Sequence, residues 1–139
     1  MFPALDISAS GLTAQRLRMN AISSNIANIS TTHNEDNEPV PYQARFVVFK
    51  TDDSVGAHGA SGVKVESVET ADLEPLWRWD PQHPDAAQSG PNQGHVAYPN
   101  INLMTEFTDA MEAARAYEAN LGSMEITKDL EQQTLRILA

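Results

Sequence analysis

The sequence predicts an α+β fold in which long N- and C-terminal helices pack as a coiled-coil-like pair and enclose a small β-rich insert. Apolar residues recur at heptad spacing near both ends of the 139-residue chain. Between the ends the helical period disappears, and most prolines and glycines are found there. We therefore predict three segments, an N-terminal helix over 1–32, an insert of strands and loops over 33–100, and a C-terminal helix over 101–139.

The first helix is predicted over about residues 4–30 and carries an unusually uncharged polar face. Asp6, Arg16 and Arg18 are its charged residues, and its other polar side chains are small amides and hydroxyls. A free surface helix usually carries more charge. Neutral polar groups are buried at lower cost than charged ones, so we expect this helix to be covered. Its apolar stripe consists of Leu5, Leu12, Met19, Ile22, Ile26 and Ile29.

The insert contains three segments with strand character. Apolar residues alternate over 42–49, valines recur over 63–68, and 76–79 starts as a short strand that ends in proline-restricted turns. We expect these segments to form a small β-rich body. It holds few large apolar side chains and is near the lower limit for independent stability.

The second helix is predicted from about residue 103 to the end, with Asn100 or Asn102 as its N-cap. Lys128 and Glu131 interrupt its apolar stripe, at a spacing that lets them pair, reach solvent or set the register between subunits. At about 1.5 Å per residue it is too long to be buried inside a small globule. Its stripe consists of Leu103, Phe107, Ala110, Ala114, Tyr117, Leu121, Met124, Leu135 and Leu138.

Two heptad stripes in one chain need covering partners. The simpler interpretation is that the two helices pack on each other; the alternative is that they also pack against neighbouring subunits. Gly11 and Gly122 each weaken a helix by about 1 kcal/mol relative to alanine. We therefore expect either a bend or a close backbone neighbour at each of them.

Charge and composition exclude several function classes. The net charge is −10, and residues 32–100 carry about −7 of it. Such acidity disfavours nucleic acid and anionic membrane surfaces, so protein partners are expected. No apolar run approaches the roughly 20 residues of a membrane span, and the first residues lack the pattern of a secretory signal. The chain has no cysteine, which excludes disulfides and thiolate sites.

No catalytic motif is present, and we expect neither an enzyme nor a cofactor. The sequence has no Gly-x-Ser-x-Gly, P-loop or His-Glu-x-x-His pattern. The four histidines are scattered, so His83 beside Asp80 and Asp85 indicates turn chemistry rather than a metal site. Trp77 and Trp79 are expected to be core or interface anchors rather than a ligand cage.

Several sequence blocks resemble the flagellar rod and hook proteins. Asn25, Ile26, Ala27, Asn28 and Thr31 match the N-terminal signature of that family within ALDISASGLTAQRLRMNAISSNIANISTT. The later blocks PYQARFVVF, GVKVESV, WDPQHPDA, HVAYPNINL and ARAYEANL are similar, in the same order, to those of proximal rod members. The chain departs from the family pattern at 33–38 and at 77–79, where Trp-Arg-Trp replaces an aliphatic-aromatic pair.

The resemblance implies a structural subunit of the proximal rod of the flagellar basal body. Such a subunit polymerises into a helical tube that transmits torque and forms part of an export channel in the periplasm. The implied partners are copies of itself, other proximal and distal rod subunits, the rod-base adaptor of the MS ring and export gate, and the flagellar type III export apparatus. Export by this apparatus needs no cleaved signal peptide, which agrees with the lack of a secretory signal pattern.

Two alternatives remain open, another axial flagellar subunit and a soluble coiled-coil adaptor. An adaptor would form a small, discrete oligomer with ordered ends. For the polymer interpretation we predict assembly residues on both helices. They are Leu5, Leu12, Met19, Ile22, Asn25, Ile26, Asn28, Ile29, Leu103, Phe107, Tyr117, Asn120, Leu121, Met124, Leu135 and Leu138.

Overall fold

The fold consists of two long helices with two small antiparallel sheets between them in the chain, which confirms the α+β class. The structure is a computed structural model that describes residues 3–56 and 59–138, with the side chain of Leu138 outside the described part. The elements in chain order are α1 (Pro3–Ala27), β1 (Arg45–Asp52), β2 (Gly62–Thr70), β3 (Leu76–Trp79), β4 (His95–Tyr98) and α2 (Leu103–Leu138).

The helix ends are defined by local hydrogen bonds. Helix α1 ends three residues earlier than the sequence predicts, in a turn where the Thr31 N–H donates to the Asn28 carbonyl at 3.1 Å. At the start of α2, Asn102 Oδ1 accepts a hydrogen bond from the Met104 N–H at 3.0 Å. This confirms one of the two predicted caps. Asn100 instead donates its side-chain N–H to the Glu74 carbonyl at 3.0 Å.

Strands β1 and β2 form an antiparallel sheet that packs on α1. The pairing shifts between Val48 and Phe49, so Glu66 is left as an extra residue in β2. On the helix, Ser10 Oγ accepts a hydrogen bond from the Val63 N–H at 3.1 Å. In the described residues, neither sheet packs against α2. Helix α1 therefore lies between the β1–β2 sheet and α2.

Strands β3 and β4 form a second antiparallel sheet. The sequence predicted β3 but not β4, whose central residues Val96 and Ala97 are both buried. Two buried neighbours remove the alternation by which a strand is detected. Together with Ile101, they supply the buried apolar residues at the C-terminal end of the insert.

A buried hydroxyl connects the segment after α1 to the loop after β3. Thr32 Oγ1 donates to Asp85 Oδ2 at 2.6 Å, and Thr32 is buried. The Nδ1 atoms of His33 and His83 lie 3.5 and 3.9 Å from the same carboxylate oxygen. The Thr32 hydrogen bond, with a smaller contribution from both imidazoles, lowers the pKa of Asp85 although partial burial opposes this. His83 Nδ1 accepts a hydrogen bond from the Asp85 N–H at 3.1 Å, so it takes part in the turn.

We expect Asp85→Asn to remove a pH-dependent part of the stability. Because the folded-state pKa of Asp85 is lowered, its carboxylate stabilises the fold fully above the unfolded pKa. This contribution disappears as the pH falls through the folded pKa. In urea unfolding, the wild type should therefore lose more stability than Asp85→Asn between neutral pH and about pH 3. Equal losses would contradict the assignment, and Asp36→Asn, at an exposed position, is the matched control.

Candidate assembly interface

The contact between α1 and α2 is an antiparallel seam of small and polar residues. Asn25 contacts Glu106 at one end, Gly11 lies against Asn120, and Ala4 and Thr127 line one cavity near the other end. Seam positions are seven residues apart in each helix. They are Ala4, Gly11, Arg18 and Asn25 in α1, and Glu106, Ala113, Asn120 and Thr127 in α2.

At Gly11 the seam leaves no room for a larger side chain. A Cβ atom on Gly11 would lie 2.9 Å from Asn120 Oδ1. The Asn120 side chain is held by its own helix, since its Nδ2 donates to the Ala116 carbonyl at 2.9 Å. Gly122 has no described neighbour within 4 Å of such a Cβ atom. Of the two explanations for Gly11, the structure supports a close neighbour, but this neighbour is a side chain rather than the expected backbone.

Arg18 pairs across the seam with two carboxylates of α2. Its Nη2 lies 3.4 Å from Asp109 Oδ1 and 3.3 Å from Glu112 Oε2. The side chain of Glu112 is 66% exposed, so water screens this pair. Exposed ion pairs contribute at most about 1 kcal/mol. These ion pairs therefore contribute little to stability, and their main effect is on how the two helices are aligned. Ala113, the residue after Glu112, is fully buried.

Asn25 is the most highly connected side chain of the seam. Its Nδ2 donates to the Arg45 carbonyl at 2.8 Å and to Glu106 Oε2 at 3.2 Å. Its Oδ1 accepts from the Arg45 N–H at 2.7 Å and from the Tyr42 hydroxyl at 3.1 Å. The residue is only 2% exposed, so these bonds replace its contacts with water. One amide thus joins α1, the start of β1 and the start of α2.

Helix α2 leaves large apolar side chains uncovered. Their exposed fractions range from 41% at Leu103 to 84% at Ile137. Apolar surface of this extent is typical of an interaction site. We call this set the α2 apolar surface: Leu103, Met104, Phe107, Met111, Leu121, Ile126, Leu130, Leu135 and Ile137.

The predicted assembly residues fall into three groups. Ile22 and Asn25 are buried. Leu103, Phe107, Leu121 and Leu135 are exposed and belong to the α2 apolar surface, and the side chain of Leu138 lies outside the described residues. The others are partly buried: Leu5, Leu12, Met19, Ile26, Asn28, Ile29, Tyr117, Asn120 and Met124.

The predicted stripe of α1 lies one position to the side of the seam. Leu5, Leu12, Met19 and Ile26 each follow a seam residue directly. Sequence reasoning therefore missed Ala4, Arg18, Glu106 and Ala113. The signal that would have found the seam is the seven-residue spacing of small and polar residues, which large apolar neighbours concealed.

The described residues contain neither a cluster of metal ligands nor a helix that could cross a membrane. No group of three histidine or acidic side chains in 3–56 and 59–138 is placed to hold a metal ion. Neither described helix is long and apolar enough to cross a membrane.

Comparison with known proteins matches both helices to one class of protein. A family described as flagella basal body rod protein matches residues 5–33, which include most of α1. A second, described as flagellar basal body rod FlgEFG protein C-terminal, matches residues 92–137, which include β4 and nearly all of α2.

Curated relatives cover almost the whole chain, and each carries the name flagellar basal-body rod protein FlgC. The chain is 38% identical to the protein of Borreliella burgdorferi over 99% of its length and 97% of that protein. The Bacillus subtilis protein is 34% identical, with coverages of 98% and 97%. The Salmonella typhimurium protein is 33% identical, with coverages of 95% and 93%.

We expect Asn25→Asp to destabilise the isolated protein strongly. The substitution replaces the Nδ2 donor by an oxygen that faces the Arg45 carbonyl and the Glu106 carboxylate. Loss of satisfied bonds at a buried site costs about 2–4 kcal/mol, as measured by urea unfolding. Asn20→Asp adds the same charge at an exposed position of α1 and should change stability by less than about 0.5 kcal/mol. Similar losses in both variants would refute a special role for Asn25.

The two helix glycines should respond differently to alanine. Gly122→Ala should stabilise the isolated chain by up to about 1 kcal/mol, because alanine favours the helix and meets no neighbour. Gly11→Ala gains the same propensity but collides with Asn120, so we expect a net loss. Adding Asn120→Ala should restore part of it. Thermal unfolding of the wild type, Gly11→Ala, Asn120→Ala and the double variant measures the coupling between the two positions. Additive effects at Gly11 and Asn120 would contradict the close contact.

Proposed function

Because the chain belongs to the flagellar basal-body rod protein family of FlgC, we propose that it is a structural subunit of the proximal rod of a bacterial flagellum. Its relatives are named for the structure they build, and the chain is a structural protein rather than an enzyme. The observation that carries the proposal is the α2 apolar surface, which stays uncovered although the seam beside it is closed.

The seam and the apolar surface have different physical roles. Small residues let α1 and α2 approach closely, and Asn25 satisfies the polar groups where the segments meet. The large side chains point elsewhere and stay in water. Burying one Leu, Ile, Phe or Met side chain fully stabilises a complex by roughly 1.5–3 kcal/mol. Neighbouring subunits that cover several of them supply the driving force for polymerisation.

The position of the β1–β2 sheet supports packing through α2. The sheet covers α1, and no described strand contacts α2. With 36 residues at about 1.5 Å per residue, α2 is roughly 54 Å long, and its apolar surface beside the seam is open to neighbours. We propose that these helices pack side by side with those of other copies and other rod proteins, as a coiled-coil-like layer of a helical tube. Such a tube transmits torque and encloses an export channel.

We also propose that the subunit reaches the periplasm through the flagellar type III export apparatus and then joins the rod-base adaptor and the proximal and distal rod subunits. Before assembly, the large apolar side chains of α2 stay exposed and do not stabilise the isolated subunit, so the subunit unfolds at lower cost for passage through a narrow channel than it would in the rod. The same helix gains its partners at the growing end of the rod.

Leu121→Asp should abolish incorporation into the rod while leaving the isolated subunit folded. Leu121 is 44% exposed, so a charge there costs the monomer little, but it would be desolvated against a neighbouring subunit. Basal bodies purified from a strain that carries only the variant should lack the subunit, and the strain should not swim.

Ser123→Asp is the matched control, because it adds the same charge at an exposed polar position of α2. It should be incorporated at close to the wild-type level. Normal incorporation of Leu121→Asp would refute the proposed interface. A discrete soluble oligomer with fully protected helices in hydrogen exchange would instead support the coiled-coil adaptor.

A further inference from the structure

Strand β3 presents an aromatic edge that is separate from the α2 apolar surface. Leu76, Trp77 and Trp79 are 52%, 47% and 64% exposed. On the far side of β4, the Ala87 N–H donates to the His95 carbonyl at 3.0 Å, which occupies that edge. No further strand in the described residues lies beside β3. The β3 side is therefore the open edge of this sheet.

The backbone groups of the two tryptophans face this open edge. Trp79 is paired with His95, and the next residue, Asp80, donates its N–H to the Gly94 carbonyl at 3.0 Å. Opposed residues in an antiparallel ladder alternate between bonded and non-bonded pairs. The bonded position next to Trp79 therefore directs the N–H and carbonyl groups of Trp77 and Trp79 away from β4.

The ring of Trp79 is held in place by its own sheet. Gly94 has a φ of +77°, and a Cβ atom on it would lie 2.6 Å from Cζ3 of Trp79. The Trp79 ring also meets the His95 ring edge to face, with centroids 5.0 Å apart. Trp77 lines a groove of about 530 Å³ with Pro39, among others. The Trp79 ring therefore loses little conformational freedom on binding.

The surroundings of this edge are acidic. Asp72 and Glu74 precede β3 and are exposed, and Asp36 and Glu38 are exposed on the loop that lines the groove. The basic residue on β3, Arg78, is stacked over Tyr98 at 5.0 Å. The segment 32–100 carries about −7, so the same segment of a second copy would be repelled. The charge favours a cationic occupant.

We propose that β3 is a docking edge for an extended segment of a different protein, one that alternates apolar with Lys or Arg side chains. The segment adds a strand by bonding to the outward backbone groups of Trp77 and Trp79. Its apolar side chains pack on the two rings, and its cations are attracted by the net negative charge of the surrounding segment. Tryptophan and arginine are enriched among the residues that dominate binding energy. This site is independent of rod packing through α2.

Intrinsic fluorescence tests the proposal on the full chain, because Trp77 and Trp79 are its two tryptophans. The probe is a blocked hexapeptide of alternating Lys and Val. We expect a saturable shift of tryptophan emission to shorter wavelength, with an affinity that falls as salt is raised. A peptide with Glu in place of Lys, and one with alternate N-methylated amides, should bind at least about tenfold more weakly.

The outcomes separate the proposal from its alternatives. Trp79→Ala, with Trp77 as the fluorescent reporter, should weaken binding of the Lys-Val peptide about tenfold. Phe46→Ala, which truncates an exposed aromatic ring on β1, should leave this binding unchanged. Equal binding of all three peptides, or no saturable shift, would overturn the proposal. Sedimentation that shows self-association lost in Trp79→Ala would assign the edge to a second copy instead. None of these results depends on rod incorporation.

Discussion

The amide of Asn25 is the interaction on which the arrangement of the other elements depends. It lies where α1, the start of β1 and the start of α2 meet, and its hydrogen bonds reach all three. A buried amide is costly unless its donors and acceptors are satisfied together. The insert therefore has to leave α1 and return to α2 at one defined place. The Thr32–Asp85 bond holds the next part of the insert to the same end of the helix pair.

A second constraint follows from the small residues of the seam. The fit of Gly11 against Asn120 requires short side chains at the contact, so the large apolar residues of α2 lie beside it. In an ordinary small domain these residues would form the core. Here the polar groups of the seam find partners within the chain, whereas much of the apolar surface does not. This difference lets the chain have a defined fold while the apolar surface of α2 stays accessible to neighbouring subunits.

The sequence predicted the elements better than it predicted their contacts. Helices α1 and α2, strands β1 to β3 and the Asn102 cap follow from local periodicity and short-range hydrogen bonding, which a single sequence contains. Strand β4 escaped because Val96 and Ala97 are both buried. The predicted stripe of α1 lies one position away from the seam, because we took the largest apolar side chains to be the buried ones. The partners of Asn25 lie 20 and 81 residues away, and local patterns contain no information on such distances.

The helices and the β3 edge are under different physical constraints. A seam residue contacts the opposite helix, and in the proposed packing an α2 surface residue also contacts neighbouring subunits, so we expect a change at either position to alter the assembly. Among the described residues, strand β3 is bonded in the sheet only to β4, and its side chains are exposed. New side chains there change neither the Asn25 bonds nor the Gly11 contact. Recognition of an additional partner at Trp77 and Trp79 can therefore change without disturbing the proposed polymer.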